Sequence, residues 1–338
     1  MTILTTRAAL NAVLRSELKR HRETVFLGET TRDGGAAGVG IGLYEQFGPD
    51  QVIETPVSEN GFFGAALGLA LAGFRPIVEC YSADFLLVVA NEIINDFPKW
   101  RQQQARPGAL PITVRGCMGA NRGLGPEHSQ CMESYLHHAP GLTVVVPGSP
   151  ADAAGLLRAA IQSPEPTVFL EHRRLYDVVG EVPEDEDFVL PLGKGYVVRR
   201  GRDVTVVAWA WMRQEAELAA TTLEAEGISI EIIDPRTISP MDFDLIKSSV
   251  QRTGILVVAE EAPLTGSVGA EILARVMESS RDGKYRATRV AMPNAIHPYS
   301  STMEREILPD AKAICDAVRE LTRSTQSKPV IAHNAAVN

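Results

Sequence analysis

ETPVSENGFFGAALGLALAG (residues 54–73) places one carboxylate, Glu59, in front of an almost uninterrupted run of small and apolar side chains. Residues 61–73 carry no charge, and Gly64 and Gly68 are four residues apart, about one turn of a helix. The run is too short to span a bilayer as a helix. Because small residues at this spacing share one helix face and let two backbones approach closely, we predict a buried helix packed tightly against another.

Glu59 has two interpretations, which the local pattern leaves open. Apolar surroundings raise the pKa of a carboxyl group, whereas the amino terminus of a helix opposes the rise. Glu59 is then either a carboxylate that caps the helix or a carboxylate held out of water so that it can exchange a proton with a bound molecule.

The composition bounds the class of protein. The 338 residues are 45% hydrophobic and 22% charged, which is ordinary for globular proteins, and the length predicts two domains. A net charge of −9 argues against a nucleic-acid partner or an anionic membrane surface. The 4 cysteines show no CxxC pair and no spacing typical of zinc, and the first residues lack the apolar core of a signal peptide. We therefore predict reduced thiols and a cytoplasmic location.

Short β-branched segments alternate with segments of helical period, which predicts an α/β fold in which each domain is a mainly parallel sheet flanked by helices. In the first half, strands are predicted at 25–28, 76–81, 111–115, 142–146 and 167–171, and helices at 61–72, 84–104 and 150–162. In the second half, strands are predicted at 204–209, 229–233, 255–259 and 287–291, and helices at 212–226, 242–252, 267–280 and 308–322.

A break in this alternation sets the predicted domain boundaries. Residues 177–203 are first acidic and then punctuated by Pro and Gly, with little helical period. We predict a first domain at 1–180, a linker at 181–203, a second domain at 204–323 and a flexible tail at 324–338.

Two glycine-containing loops are candidates for function. RGCMGANRGLGPEHSQC (residues 115–131) follows a predicted strand and carries His128, the histidine best placed for proton transfer. TGSVGAE (residues 265–271) follows another strand and begins a helix, so its backbone amides are either an anion site or a plain helix start.

The ordered set of motifs resembles a known family. LGET (27–30), TPVSE (55–59), ADF (83–85), EHSQ (127–130), DPRTISPMD (234–242) and EEAPLTGSVGAEI (260–272) occur in the order found in the β subunits of heterotetrameric 2-oxo acid dehydrogenases. These are the thiamine-diphosphate-dependent E1 components of the pyruvate, branched-chain and acetoin type. The resemblance covers about residues 5–323 and implies a pyrimidine-binding domain followed by a transketolase-like C-terminal domain.

The resemblance also implies roles for particular residues. Glu59 matches the carboxylate that hydrogen-bonds N1′ of the cofactor aminopyrimidine, and His128 matches the active-site histidine that donates a proton when the acyl group passes to a lipoyl group. Phe85 matches an aromatic residue beside the cofactor. Family members also bind a structural potassium ion through main-chain carbonyls, and these positions match Ile112, Ala160, Ile161, Ser163 and Glu165.

The chain lacks the GDG motif with which such enzymes anchor Mg²⁺ and the diphosphate. The resemblance therefore implies an α subunit that carries most of the metal site, an α2β2 assembly, a keto substrate and a lipoyl-bearing acyltransferase or carrier protein as acceptor. The glycines of 61–73 would then serve a subunit interface.

Several departures from the family pattern keep other functions open. Thr30 replaces an acidic residue, Phe97-Pro98 interrupts a predicted helix, and AWAWM (208–212) replaces a smaller turn. A tail beyond residue 322 puts the usual docking of the acyltransferase core in question. The alternatives are a transketolase-like subunit that transfers a two-carbon ketol unit from a ketose to a carrier protein, and a non-catalytic scaffold.

Overall fold

The computed structural model describes residues 1–105, 108–280 and 283–323, so the tail predicted at 324–338 lies outside the described residues. The chain divides into two units. The first contains Met1–Lys194, Arg236–Pro240 and His297–Glu304, and the second contains Gly195–Pro235, Met241–Ile296 and the described chain from Arg305 onward.

The first unit is built on a mainly parallel sheet. Its strands are β1 (Thr2–Thr5), β2 (Thr24–Gly28), β3 (Val52–Glu54), β4 (Arg75–Cys80), β5 (Thr113–Met118), β6 (Thr143–Val145), β7 (Thr167–His172), β8 (Val179–Val182) and β12 (Thr237–Ser239). Seven of them form one sheet in the order β12-β6-β7-β5-β4-β2-β3, in which only the β12–β6 pair is antiparallel, while β1 and β8 pair separately.

Helices cover this sheet, and their bounds are α1 (Thr6–Arg20), α2 (Leu43–Phe47), α3 (Glu59–Leu71), α4 (Phe97–Gln103), α5 (Glu133–His137) and α6 (Pro150–Gln162). The apolar faces of α1 and α6 pack against each other and against β2 and β7, with Leu10, Leu14 and Leu157 fully buried. This one-sided burial is what the helical period of α1 and α6 predicts.

The second unit repeats the architecture. Its strands are β9 (Tyr196–Arg199), β10 (Val204–Ala208), β11 (Ile230–Asp234), β13 (Ile255–Pro263) and β14 (Arg286–Met292), and its helices are α7 (Ala210–Glu224), α8 (Phe243–Thr253), α9 (Val268–Glu278) and α11 (Ala311–Arg323); Ser301–Ile307 forms α10. The sheet order is β14-β13-β10-β11-β9, parallel except for the edge strand β9. The predicted α/β class with two mainly parallel sheets is confirmed.

Three segments differ from the sequence-based expectation. The predicted helix 84–104 is a 3-10 turn (Ala83–Leu87), a π-helical turn (Glu92–Asp96) and then α4, because Pro98 has no N–H to donate and occupies the first turn of a new helix. Residues 181–203, predicted as a linker, include β9. The motif DPRTISPMD supplies β12, which pairs with β6 in the sheet of the first unit.

A buried ion cluster joins the three central strands of the larger sheet. The Arg115 guanidinium on β5 contacts both oxygens of Glu171 on β7 through Nε and Nη2, at 2.7 and 2.9 Å, and contacts Glu79 on β4 through Nη1 at 3.2 Å. The Tyr176 hydroxyl donates to Glu171 at 2.8 Å. All four side chains are buried, so one guanidinium is shared by two carboxylates inside the sheet.

Glu79 is the strained member of this cluster. Burial raises its pKa to about 7, and the charge of Glu171 adds to the rise, while Arg115 and the backbone amide of Ala36 oppose it. Because the folded-state pKa lies above the usual value, Glu79 stabilises the fold when it is protonated, and this contribution is lost as the pH rises through about 7.

We predict that the free energy of unfolding falls between pH 6 and pH 8 in the native sequence and falls less in Glu79→Gln, whose amide does not titrate. Chemical denaturation at several pH values measures this difference. Glu320→Gln, at an exposed position of α11, is the control and keeps the native pH dependence. Equal slopes for Glu79→Gln and the native sequence would contradict the assignment.

Candidate functional site

The residues singled out from the sequence follow the carboxyl ends of neighbouring parallel strands. Glu59 follows β3, Phe85 follows β4 and His128 follows β5. Because β2, β3, β4 and β5 are parallel, these segments leave the sheet at the same edge, which is where open α/β sheets bind their ligands.

Glu59 is the first residue of α3 and is half-buried. Next to it, the side-chain amide of Asn60 donates to the carbonyl oxygen of Val88 at 3.1 Å and lies 3.5 Å from Glu92, which ties the start of α3 to the turns after β4. Glu59 therefore occupies the first helical turn, where the helix dipole favours its charge.

The helix α3 is buried on one face only, so the prediction of a fully buried helix is wrong for the chain by itself. Phe62, Phe63 and Ala66 are buried against the first unit. On the other side Gly64 and Gly68 are exposed, and a Cβ at either position meets no atom of the described chain within 4 Å. The small residues of this face present open backbone.

Glu29 is a further candidate for this site that the sequence analysis did not single out. It follows β2 directly, and its Oε1 atom is buried without a hydrogen-bond partner among the described residues. Burial raises the pKa of Glu29, and the charge of Glu59 adds to this rise. The two carboxylates are therefore close enough for their charges to interact. The available signal was the carboxylate of LGET directly after a fully buried strand.

His128 and Phe85 are in contact. Their ring centroids are 5.3 Å apart at an interplanar angle of 82°, an edge-to-face arrangement. Both side chains are half-buried, so each is supported on one side and accessible on the other. The structure thus brings together two residues that the family resemblance places at one site.

The loop that carries His128 depends on two close approaches to the segment 297–304 of the same unit. The amide of Gly123 donates to Glu304 at 3.0 Å. At Gly125, with φ of 82°, the ring of Tyr299 occupies the space that a Cβ needs. Glycine at these two positions is therefore required by a positive φ and by contact.

The five residues of the expected potassium site lie at the opposite edge of the sheet. Ile112 precedes β5, Glu165 precedes β7, and Ala160, Ile161 and Ser163 form the carboxyl end of α6. The carbonyl oxygens of Ile112 and Ala160 accept from Thr167 and Ser163 at 2.9 and 3.2 Å. These positions are grouped in space, but they are separated from the candidate active site by the length of the strands.

The anion site considered at TGSVGAE is filled by the protein itself. The carboxylate of Glu260 on β13 accepts from the amide of Gly269 at 3.0 Å and from the Ser267 hydroxyl at 2.5 Å. Of the two interpretations of this loop, the plain helix start is therefore the correct one.

The described residues contain neither a membrane-spanning helix nor a cluster of metal-binding side chains. Within residues 1–105, 108–280 and 283–323, no helix is long and apolar enough to cross a membrane. The same ranges hold no group of three or more His, Cys, Asp and Glu side chains arranged to bind a metal ion.

Known proteins are similar to most of this chain. The family model of the transketolase pyrimidine binding domain matches residues 3–178, and that of the transketolase C-terminal domain matches residues 193–314. The pyruvate dehydrogenase E1 component subunit beta of Rhizobium meliloti is 40% identical over 94% of this chain and 70% of the relative. The corresponding subunit of Staphylococcus epidermidis is 36% identical over 94% of this chain and 98% of its own length.

A relative named for a different activity and a solved structure are also similar to this chain. The β subunit of the acetoin:2,6-dichlorophenolindophenol oxidoreductase of Cupriavidus necator is 37% identical over 94% of this chain and 97% of its own. A solved chain described as a split gene transketolase, inactive beta4 tetramer, matches with a TM-score of 0.77 and 23% identity, covering 94% of this chain and 98% of that one. At this identity the match concerns the fold alone.

Proposed function

Because the chain belongs to the family of the E1 β subunits of thiamine-diphosphate-dependent 2-oxo acid dehydrogenases, we propose that it decarboxylates a 2-oxo acid together with an α subunit and passes the acyl unit to a lipoyl domain. The family recognised from the ordered motifs is confirmed. The observation that carries the proposal is the pair Glu59 and Glu29, two neighbouring carboxylates at the carboxyl edge of a pyrimidine-binding domain.

The residues at this edge fit the cofactor. Thiamine diphosphate supplies, when bound, a nucleophilic carbon and a sink for the electron pair that decarboxylation releases. The half-buried carboxylate of Glu59 would hydrogen-bond N1′ of the aminopyrimidine, and Oε1 of Glu29, which has no partner among the described residues, offers a second acceptor at the same edge of the sheet. Phe85 would line the site, and His128 would donate a proton when the acyl unit reaches its acceptor.

The first test is a donor panel of 2-oxo acids and ketose phosphates, assayed with the α subunit, thiamine diphosphate and Mg²⁺. We expect CO2 release from a 2-oxo acid, and we expect Glu59→Gln to lower this rate by about a hundredfold or more, because the amide cannot exchange the proton. Glu45→Gln, at an exposed position of α2, is the matched control. Turnover with a ketose alone would place the chain in the transketolase-like alternative, and full activity of Glu59→Gln would favour a scaffold.

The exposed face of α3 is the surface on which we expect the α subunit to bind. Gly64 and Gly68 leave backbone open to a second helix, which matches the expectation that the glycines of this run serve an interface. Mg²⁺ would be held mainly by that subunit, since the sequence has no GDG motif to supply the protein oxygen ligands that complete the octahedral shell with phosphates and water. We propose an α2β2 assembly in the cytoplasm.

Gly64→Leu tests this interface. A Cβ at Gly64 meets no atom of the described chain, so we expect the variant chain to fold with an unchanged thermal midpoint. Its bulk prevents close helix contact, so we expect assembly with the α subunit to be lost in sedimentation experiments. Ser248→Leu, at an exposed position of α8, is the control and assembles normally. Normal assembly of Gly64→Leu would exclude this face as the interface.

The carboxyl end of α6 fits a potassium ion. Carbonyl oxygens at a helix carboxyl terminus carry partial negative charge, and each has two lone pairs, so an oxygen that already accepts one hydrogen bond can still bind a cation. Ile112, Ala160, Ile161, Ser163 and Glu165 would supply these oxygens. Because these positions lie at the far edge of the sheet, we propose that the ion has a structural role.

We predict that K⁺ raises the thermal midpoint of the chain above its value in tetramethylammonium at equal ionic strength, because an ion that binds only the folded state stabilises it. Differential scanning calorimetry across a series of K⁺ concentrations measures the effect, which saturates if one site is involved. Li⁺ at the same concentrations is the control for general ionic effects. An identical midpoint in all three salts would rule out the site.

A further inference from the structure

Asp84 is a buried carboxylate that none of the site assignments uses. It lies directly before Phe85 and is only 6% exposed. Both of its oxygens are occupied: Oδ1 accepts from the backbone amide and the side-chain amide of Gln130 at 3.1 and 2.9 Å, and Oδ2 accepts from the Ser82 hydroxyl at 2.6 Å. A buried carboxylate with three donors is a strong local anchor.

The same contacts close the loop that carries His128. Arg173 donates through Nη2 to the Ser82 hydroxyl at 2.7 Å and through Nη1 to the carbonyl oxygen of Gly119 at 3.4 Å. The amide of Gly119 in turn donates to the carbonyl oxygen of Gln130 at 3.2 Å. The two ends of the loop are therefore joined to each other and to the turn after β4.

The loop needs such an anchor because its own backbone is irregular. Gly119, Gly123 and Gly125 have φ angles of 83°, 75° and 82°, which helices and strands do not use. His128 lies two residues before Gln130 in the sequence, and Phe85 follows Asp84. Adjacent residues of one turn thus hold two nearby residues of the loop, Asp84 through hydrogen bonds and Phe85 through ring contact.

We propose that Asp84 is a positioning residue for His128, which acts by fixing Gln130 and thereby holding the imidazole against Phe85 for proton donation to the acyl acceptor. This inference rests on the proposed function of His128. The carboxylate of Asp84 is occupied by Ser82 and Gln130, so its effect on His128 passes through Gln130.

The substitution Asp84→Asn breaks the arrangement with little change of shape. An amide has one oxygen and one NH₂ group, so it cannot accept from Gln130 on one side and from Ser82 on the other. With its oxygen toward Gln130, the amide leaves the Ser82 hydroxyl without its acceptor and replaces the charge-assisted bonds to Gln130 by weaker neutral ones; with its NH₂ toward Gln130, both Gln130 donors lose their acceptor. Gln130→Met is the milder second variant, since it removes the side-chain contact and keeps the backbone amide. Asp50→Asn, at an exposed position, is the control.

The first measurement is hydrogen–deuterium exchange of peptides covering residues 119–131 in the assembled complex. We expect Asp84→Asn to accelerate exchange there by about tenfold, because local opening is governed by the contacts that hold the loop. Gln130→Met gives a smaller increase, and Asp50→Asn gives none. The exchange measurement requires no substrate, so it tests the proposal even if no 2-oxo acid or ketose donor is found. Unchanged exchange in Asp84→Asn would overturn the proposal.

The second measurement compares two assays of the complex. In one, a lipoyl domain accepts the acyl unit. In the other, 2,6-dichlorophenolindophenol takes the two electrons and water takes the acyl group, so no proton donation to the lipoyl group is needed. We expect Asp84→Asn and Gln130→Met to lower the lipoyl-linked rate by about 10- to 100-fold and the dye-linked rate by less than about twofold.

The double variant Asp84→Asn/Gln130→Met is expected to lose no more of the lipoyl-linked rate than Asp84→Asn alone, because both substitutions act on the same contact between residue 84 and the Gln130 side chain. An equal loss in both assays, or a lipoyl-linked rate that stays native while exchange accelerates, would contradict a positioning role. His128→Ala separates this result from the proposed function: if it leaves lipoyl transfer intact, the assigned role of His128 fails first, and the positioning role fails with it.

Discussion

The guanidinium of Arg115, buried between two carboxylates, is the constraint on which the larger sheet depends. It binds Glu79 on β4 and Glu171 on β7 from the strand between them. Removing one partner of such a cluster leaves an uncompensated charge in the interior, so any shift of the strands past one another is costly. The register fixed in this way determines where β4 and β5 end, and therefore where Phe85 and His128 begin their loops.

At the edge of this sheet the chain accepts unfavourable local arrangements. Glu29 and Glu59 repel each other, and Glu29 has a buried oxygen without a partner among the described residues. The small residues of α3 present open backbone on one side. The same sheet buries Arg115 together with its partners, so these features are not a general defect of packing. Unfavourable arrangements of this kind concentrate where a ligand or partner compensates them.

The sequence predicted the central strands and most helices because their signals are local. Buried parallel strands such as β2 and β13 are continuous apolar runs, and α6 has a clear helical period. The misses have non-local causes. The strand β12 pairs with a strand that is distant in sequence. The sequence left two interpretations of TGSVGAE open, and the structure decides between them through Glu260, which accepts from the amide of Gly269. Glu29 was missed because its one signal, a single carboxylate directly after a buried strand, does not by itself distinguish a site residue from any other loop carboxylate.

The candidate site shows the same division between local and assembled information. Glu59, Phe85 and His128 were predicted from motifs, but the residues that support them were not, because Asp84 and Gln130 meet only when the turn after β4 and the loop after β5 lie side by side. A motif identifies the residue types at a site, whereas the fold determines which other residues hold them in place. For a histidine on a glycine-rich loop, the residues that hold the loop decide whether the imidazole has one position or many. They therefore decide whether it can donate a proton in a defined direction.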